Sequence, residues 1–276
     1  MHSGWNYMAK RSQDQGIFLW LAITAGAIIY APAFFILLPH NPVSGKGWIF
    51  IAASAVIHVF YFVFLGGALS RGHLSFVYPL ARGIGPLFVL VLSYGFMGEI
   101  PNIAGGVGVF LVIAGVALLG TQGQTISGIM RTLRRRRLSS GALLALLTGL
   151  TIGIYSVIDK GGVSHVNPLM YMWLWVVGSV FLMAPYHLRS HTRVLLVVKT
   201  EYLWVMVAGI LLFGAYTMVL AAMNLTIVTY AAAMRETSIL IATLYGAVLL
   251  KERVSRARMA GILILLLGVA LIGIFG

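Results

Sequence analysis

Three ionisable residues lie in the middle of long apolar segments of this chain. Arg82 falls near the centre of 73–97, and the adjacent Arg235 and Glu236 fall near the centre of 227–250. A charged side chain at the centre of a membrane helix costs at least about 2.5–3.5 kcal/mol, so it normally faces the protein interior, a partner or a cavity. The pattern predicts either a buried ion pair of Arg82 with Glu236 or a site that receives a ligand.

The local charge indicates what kind of ligand such a site would take. Adjacent helical residues point about 100° apart, so we expect Arg235 and Glu236 not to satisfy each other. Two arginines and one glutamate sum to +1. That charge suits a substrate with a carboxylate or other anionic group, which a guanidinium binds in a bidentate manner.

Two further polar positions interrupt apolar helices. His58 lies in 48–70 with Tyr61 one turn away, and it is either a packing residue or a proton relay, since imidazole titrates near neutral pH. Asp159 and Lys160 come near the end of 141–163. We expect this pair to reach the outer membrane interface by extending along the helix end.

The segment that carries Arg82 is rich in helix-breaking residues, namely Pro79, Gly83, Gly85 and Pro86. Proline inside a helix removes a hydrogen bond and bends the helix. The pattern predicts an interrupted helix, which either lines a cavity or serves packing alone.

Composition defines the elements that carry these residues. Apolar residues make up 60% of the 276 residues and charged residues 9%, with no cysteine, so the chain is predicted to be an all-α polytopic membrane protein. The sequence contains no phosphate-binding loop, no HExxH and no GxSxG, which argues against ATP hydrolysis, zinc and serine chemistry. Nine segments are long enough to span a bilayer: 16–38, 48–70, 73–97, 101–121, 141–163, 168–187, 202–224, 227–250 and 257–276.

The first ten residues are too short to cross a membrane. Trp5, Asn6 and Lys10 nevertheless match Tyr155, Ser156 and Lys160 in type and spacing. We interpret residues 1–10 as the end of a tenth helix, shortened either by a start codon assigned too far downstream or in the native protein itself.

An internal duplication relates the two halves of the chain. Positions 153 apart carry the same residues: Arg82, Glu99, Gly108, Gly115 and Gly120 recur as Arg235, Glu252, Gly261, Gly268 and Gly273. Five helices in each half reverse the membrane sense of the second copy, so the repeats are predicted to be inverted. The glutamates fall at helix ends, and the glycine spacing predicts close packing of 101–121 against 257–276. The predicted domains are a first repeat at 1–121, a basic linker at 122–140 and a second repeat at 141–276.

The distribution of positive charge predicts the orientation. Fifteen basic residues fall on one side of the predicted spans, whereas Lys46 and Lys160 fall on the other. The positive-inside rule places the basic linker in the cytoplasm and the C-terminus outside. The run Arg134 to Arg137 in the linker is read as a topology anchor, with lipid headgroups or RNA as less favoured partners.

These motifs resemble the EamA family of the drug/metabolite transporter superfamily. The resemblance rests on Trp5-Asn6 with Lys10, on Tyr155-Ser156 with Asp159-Lys160, and on Gly98-Glu99 and Lys251-Glu252-Arg253 before the glycine-spaced helices. It implies ten helices in two inverted five-helix repeats, with a central cavity lined by the first, third, fourth, sixth, eighth and ninth helices. On those helices fall the candidate substrate-binding residues Trp5, His58, Tyr61, Arg82, Tyr155, Tyr216, Arg235 and Glu236. Relatives usually have a cytoplasmic N-terminus, whereas the charge bias here places both ends outside.

The combined expectation is a secondary transporter of a small polar metabolite, such as an amino acid or organic anion, in the inner membrane. Arg82 and Arg235 would bind the anionic group, and Glu236 would balance charge or carry a coupling proton. An intramembrane enzyme that uses Asp159, Lys160 and His165, or a flippase for lipid-linked substrates, is the alternative. We expect no cofactor, no metal and no nucleic acid partner, and the sequence leaves the oligomeric state open.

Overall fold

The computed structural model describes residues 2–71, 74–120, 139–240 and 256–276. The basic run of the linker and the segment around Glu252 lie outside these residues. The described elements are all helical: α1 (His2–Arg11), α2 (Gln15–Leu37), a 3₁₀ turn (Leu38–His40), α3 (Gly45–Arg71), α4 (Leu74–Met97), α5 (Ile103–Gly120), α6 (Ser140–Val163), α7 (Pro168–Leu188), α8 (His191–Met223), α9 (Val228–Arg235) and α10 (Arg256–Phe275).

The lengths and composition of these helices confirm the predicted fold class. Within the described ranges, α2, α3, α4, α6, α7 and α8 are long and apolar enough to cross a membrane. The helices α5 and α10 are shorter but also apolar. Lipid offers no hydrogen bonds to the backbone, so a chain of this composition is stable in a bilayer as helices. The protein is an all-α polytopic membrane protein.

Side chains just before the helices satisfy the first backbone N–H groups. Asp14 precedes α2, and its Oδ1 accepts from the backbone N–H of Ile17 at 3.1 Å. Asn167 precedes α7, and its Oδ1 accepts from Leu169 at 3.0 Å. Pro168 occupies the first position of α7, where its missing N–H costs nothing.

Some helix boundaries differ from the predicted spans. The helix α8 begins at His191, well before the predicted start at 202, because a helix can continue through polar residues beyond the apolar span. The helix α4 runs without interruption from Leu74 to Met97, although Pro86 removes the N–H that would bond to the Arg82 carbonyl. The interruption falls instead after α9, at Glu236.

The chain divides into two compact units that do not follow the sequence halves. Unit 1 contains residues 1–66 and 154–225, and unit 2 contains residues 67–153 and 226–276. Each unit therefore draws helices from both halves of the sequence, and the boundary between units falls inside α3 and α6.

Unit 1 has an aromatic core. Its largest fully buried side chains are Trp175, Tyr171, Phe18, Phe62 and Phe213. The helix α2 packs against α7 and α8, and α1 packs against α8. Gly26 and Gly209 allow α2 and α8 to approach closely, since a Cβ on Gly209 would lie 2.6 Å from the Ala22 carbonyl oxygen.

Unit 2 is built around the close packing of α5 against α10. A Cβ at Gly108 would lie 2.8 Å from the Gly268 carbonyl oxygen, and one at Gly115 would lie 2.8 Å from the Gly261 carbonyl oxygen. These distances are too short for any side chain, so the two backbones touch directly. The predicted packing of these glycine-spaced helices is confirmed, with valine, leucine and isoleucine side chains filling the space around them. Gly273 differs, because a Cβ there would meet nothing within 4 Å.

Candidate functional site

Arg82, Arg235 and Glu236 come together inside unit 2, and we call them the Arg–Glu cluster. Glu236 Oε1 lies 3.3 Å from Arg82 Nη1 and 3.6 Å from Arg235 Nε. The three residues are 5%, 6% and 0% exposed. Two buried guanidinium groups thus approach the same carboxylate oxygen, and the three side chains together carry a charge of +1.

Arg235 and Glu236, which the sequence predicted could not easily satisfy each other, form an ion pair whose distance of 3.6 Å is longer than a hydrogen bond. The helix α9 ends at Arg235, and Glu236 lies in a turn at φ −73° and ψ −8°. The Glu236 N–H bonds to the Ala233 carbonyl at 3.0 Å, and the Ile239 N–H bonds to the Glu236 carbonyl at 2.9 Å. The regular helix thus stops at Arg235, so the 100° spacing of neighbouring residues in a continuous α-helix does not describe this pair.

The second carboxylate oxygen of the cluster faces a different environment. Among the residues that the structure describes, none donates a hydrogen bond to Glu236 Oε2, although this atom is buried. A buried acceptor without a donor costs about 1–3 kcal/mol. The cluster therefore retains one strong acceptor beside its two guanidinium groups.

Hydrogen bonds hold the beginning of α9 in place. Glu99 Oε2, from the turn after α4, accepts from the Val228 N–H at 2.8 Å. The Ser93 and Thr229 hydroxyls lie 2.9 Å apart, and the Tyr230 hydroxyl accepts from the Asn102 N–H at 3.0 Å. These contacts fix α9, and with it Arg235, against α4 and the start of α5.

A second set of predicted site residues forms an aromatic cage in unit 1. The His58 ring is stacked between Trp175, at 3.6 Å between centroids, and Tyr155, at 4.3 Å. Tyr61 and Tyr216 meet its edge at 6.1 Å and 5.8 Å. His58 is 2% exposed, so the cage fixes the plane of the imidazole ring.

Asp159 lies next to this cage, and the expectation that its side chain extends outward along the helix end is wrong. Its side chain is fully buried. Oδ1 accepts hydrogen bonds from the Ser54 hydroxyl at 2.6 Å and from the Tyr171 hydroxyl at 2.9 Å. Oδ2 accepts from the Tyr216 hydroxyl. The donors come from α3, α7 and α8. The sequence of α6 alone does not show which helices pack against it, so the burial of Asp159 could not be predicted.

Ser54 joins Asp159 to His58. The Ser54 Oγ lies 3.1 Å from His58 Nδ1, which is also 2.9 Å from the Ser54 carbonyl oxygen. We call Ser54, His58, Asp159, Tyr171 and Tyr216 the Asp159 network. Sequence reasoning missed Ser54, Tyr171 and Trp175. The four-residue spacing of Ser54 and His58 on one helix was the available signal, since such residues share a face.

Lys160 and His165, two residues of the enzyme alternative, make contacts with different parts of unit 1. The Lys160 ammonium donates to the Met223 carbonyl at the end of α8. His165 is exposed, stacks on Phe50 at 5.7 Å and bonds to the Gly161 carbonyl at 3.0 Å. Within the described residues, no group of three histidine, aspartate or glutamate side chains could hold a metal ion.

Trp5 lies on α1. It is 3% exposed, and its neighbour Gly4 approaches Leu211 of α8. The structure places Trp5, His58, Tyr61, Tyr155 and Tyr216 in unit 1, and it places Arg82, Arg235 and Glu236 in unit 2. The eight predicted residues thus fall into two groups, each described within its own unit.

Comparison with known proteins places this chain in a family. The model of the EamA-like transporter family matches residues 7–121 and again residues 139–274. The chain belongs to the EamA-like transporter family. The two matches cover most of the chain and correspond to the two repeats that the sequence predicted, so this EamA-like protein is built from a duplicated unit.

Solved structures support the same fold for this EamA-like protein. A crystal structure of a protein that is 18% identical to it matches with a TM-score of 0.67, and the match covers 96% of this chain and 89% of the other. At that identity the likeness shows the fold alone. Comparison with curated proteins gives no match.

Proposed function

We propose that this EamA-like protein is a secondary transporter that moves a small metabolite with a carboxylate or other anionic group by alternating access. The observation that supports the proposal most is the Arg–Glu cluster. Two guanidinium groups buried among membrane helices face a single carboxylate. A site of charge +1 in an apolar medium gains free energy when an anionic group enters, because charges interact more strongly there than in water.

The geometry of the cluster favours a zwitterion such as an amino acid within this class. Arg82 and Arg235 would bind the carboxylate, since guanidinium presents a planar pair of donors that matches it. Glu236 Oε2, which accepts no hydrogen bond from a described residue, would accept from the substrate ammonium group. Glu236 would also balance the charge of the two arginines in the empty site.

For the remaining site residues, contact with the substrate is a prediction. Trp5, His58, Tyr61, Tyr155 and Tyr216 lie in unit 1, where His58 and three of the tyrosines form the aromatic cage. Contact of any of them with substrate is expected from the family resemblance. The membrane we propose is the inner membrane, with the basic side facing the cytoplasm.

A binding screen would test the proposed substrate class. Purified protein is heated with each of the twenty L-amino acids, with simple organic acids, and with the amides of the same compounds. A ligand at one hundred times its dissociation constant adds about 2.7 kcal/mol of stability. We expect an acid to raise the melting temperature while its amide, which lacks the carboxylate, does not.

Substitution of Arg235 tests the site itself. We expect Arg235→Ala to abolish uptake of the stabilising compound by proteoliposomes, and Arg235→Lys to retain part of it, because ammonium keeps the charge but loses the bidentate geometry. Arg193→Ala is the matched control, since the Arg193 side chain is 69% exposed and pairs with Asp14 at 3.6 Å. Each variant must elute as a single species after purification. Uptake by Arg235→Ala equal to that of Arg193→Ala would remove the site assignment.

A further inference from the structure

The Asp159 network contains a carboxylate and an imidazole that the proposed substrate site does not use. Asp159 is fully buried and His58 is 2% exposed, and both lie on helices that are long and apolar enough to cross a membrane. A buried carboxylate is costly unless hydrogen bonds compensate for the lost water. Here three hydroxyl groups supply those bonds, from Ser54, Tyr171 and Tyr216.

The three donors are hydroxyl groups, which can accept hydrogen bonds as well as donate them. A backbone N–H can only donate, so a carboxylate held by such groups is fixed in its charged form. A hydroxyl can turn and accept a hydrogen bond from the protonated acid. The partners of Asp159 therefore suit both the carboxylate and the carboxylic acid.

Ser54 connects this carboxylate to the His58 ring by one atom. Its Oγ lies 2.6 Å from Asp159 Oδ1 and 3.1 Å from His58 Nδ1. Because the Ser54 hydroxyl proton points to Asp159, Oγ acts as an acceptor toward His58. Nδ1 also lies 2.9 Å from the Ser54 carbonyl oxygen, which can only accept. Both contacts assign the proton of the imidazole to Nδ1.

We propose that Asp159, Ser54 and His58 form a proton-carrying site. The Nδ1 proton of an imidazolium passes to Ser54 Oγ while the Ser54 hydroxyl proton passes to Asp159 Oδ1. The products are a neutral imidazole and a carboxylic acid, so charge and protons balance. Afterwards the acid donates to Ser54 Oγ and the Ser54 hydroxyl donates to Nδ1, so the two bonds through Oγ reverse their directions, while the bond from Nδ1 to the Ser54 carbonyl oxygen is lost.

The surroundings of the site support a change of charge. Without the extra proton the pair carries −1, and with it the pair is neutral. The faces of His58 are covered by Trp175 and Tyr155, and aromatic faces stabilise a cation through cation–π interactions. Among the described residues, the titratable side chains that contact His58 or Asp159 include Tyr61 of α3, Tyr155 of α6, Tyr171 of α7 and Tyr216 of α8, and Lys160 follows Asp159 along α6.

For the proposed transporter, this site provides the coupling proton and leaves Glu236 to the substrate. What the proton is coupled to rests on the proposed function, but the existence of the site does not. The two ideas can therefore be tested separately.

The deciding experiment follows the Asp159 carboxyl group directly. The chain contains two aspartates, Asp14 and Asp159. In a D14N background, aspartate labelled with ¹³C at the carboxyl carbon gives a single protein resonance from Asp159. The protein is placed in lipid nanodiscs, and the resonance is followed from about pH 5 to about pH 9, around the range in which imidazole titrates.

We expect the Asp159 resonance to shift over this range together with the ¹⁵N resonances of the His58 ring, which an H58Q variant assigns. Coupled groups titrate as a pair. S54A should therefore separate the titration curve of Asp159 from that of His58, and S54T, which keeps the hydroxyl, should leave the two curves coincident. An Asp159 resonance that stays at the carboxylate position throughout would overturn the proposal. Curves in S54A that still coincide would overturn the relay through Ser54.

A transport measurement tests the link to function. Proteoliposomes receive an equimolar mixture of the twenty ¹³C-labelled L-amino acids, with or without an imposed pH gradient. In the wild type we expect a gradient to concentrate the transported amino acid, and in D159N we expect the same amino acid to equilibrate without concentration. Gradient-driven accumulation in D159N equal to the wild type would overturn coupling through Asp159. Absence of uptake by the wild type in both conditions would count against the amino-acid substrate and leave the proton titration as it stands.

Discussion

Glu236 occupies a position where the two repeats differ. The equivalent residue 153 positions earlier is Gly83. A Cβ on Gly83 would lie 3.3 Å from Val116 Cγ1, so the first repeat uses this position for packing against α5. The second repeat places a carboxylate there instead, between two guanidinium groups. The two equivalent positions therefore differ in function: Gly83 allows close packing, and Glu236 supplies a negative charge.

The Asp159 hydrogen bonds give a prediction for single hydroxyl groups. Tyr216→Phe removes the donor to Asp159 Oδ2, and a hydrogen bond to a charged group contributes about 1.5–3 kcal/mol. We expect a clear fall in melting temperature, measured on detergent-solubilised protein at neutral pH.

Tyr30→Phe is the matched control for this substitution. The Tyr30 hydroxyl donates to the Ile210 carbonyl at 3.4 Å in an exposed position, so we expect little change. Equal melting temperatures for Tyr216→Phe and Tyr30→Phe would contradict a strong bond to Asp159.

Arg82, Arg235, Glu236 and His58 could be identified from the sequence, because an ionisable residue in an apolar segment is energetically costly and therefore unusual. The position of Asp159 could not be predicted in the same way. It lies near a helix end, and its burial depends on hydroxyl groups from three other helices. The pairing of Arg235 with Glu236 was also missed, because it depends on a local turn within an apolar segment.

At the level of elements, the packing of α5 against α10 depends on the absence of side chains at particular positions. An alanine at Gly108 would place its Cβ 2.8 Å from the Gly268 carbonyl oxygen and 2.8 Å from Ile272 Cγ1. Overpacking of this kind costs about 1–3 kcal/mol. We expect Gly108→Ala to lower the melting temperature by several degrees.

The control uses the same substitution on the partner helix. Gly273 has open space around its Cβ position, and alanine favours a helix over glycine by about 0.5–1 kcal/mol. Gly273→Ala should leave the protein unchanged or slightly more stable. A loss of stability in both variants, or in neither, would contradict the role assigned to close backbone contact.

Hydropathy located the helices well because each apolar segment of sufficient length has to be helical in lipid. It placed the start of α8 too late, since α8 begins with the polar residues from His191 onward. Proline was a poor guide to interruption. The helix α4 contains Pro86 and continues, whereas the helix ending at Arg235 is interrupted by a turn without any proline.

At the level of the whole molecule, the duplication was visible in the sequence as matched residues at a fixed spacing. The compact units were not visible, because they cut across both repeats and across α3 and α6. Spacing along the chain reports ancestry. The compact units depend on which helices pack together, and this packing is determined by how side chains from segments distant in the sequence fit against each other.

The orientation in the membrane is testable without removing native residues, since the chain has no cysteine. Ser139 and Ser164 lie just before and just after α6, and both are exposed. In intact cells we expect a membrane-impermeant maleimide to label Ser164→Cys and to label Ser139→Cys only after permeabilisation, because the positive-inside rule predicts that the basic side faces the cytoplasm. Labelling in the reverse order would invert the topology.

The hydrogen bond that the Val228 N–H donates to Glu99 has a consequence for how the protein is made. The acceptor is synthesised 129 residues before the donor, and the first N–H groups of a helix have no partner within it. The glutamate is therefore already synthesised when α9 leaves the ribosome. The early half of the chain acts as a template for the late half, and a truncated chain that starts after Glu99 would produce α9 without its cap.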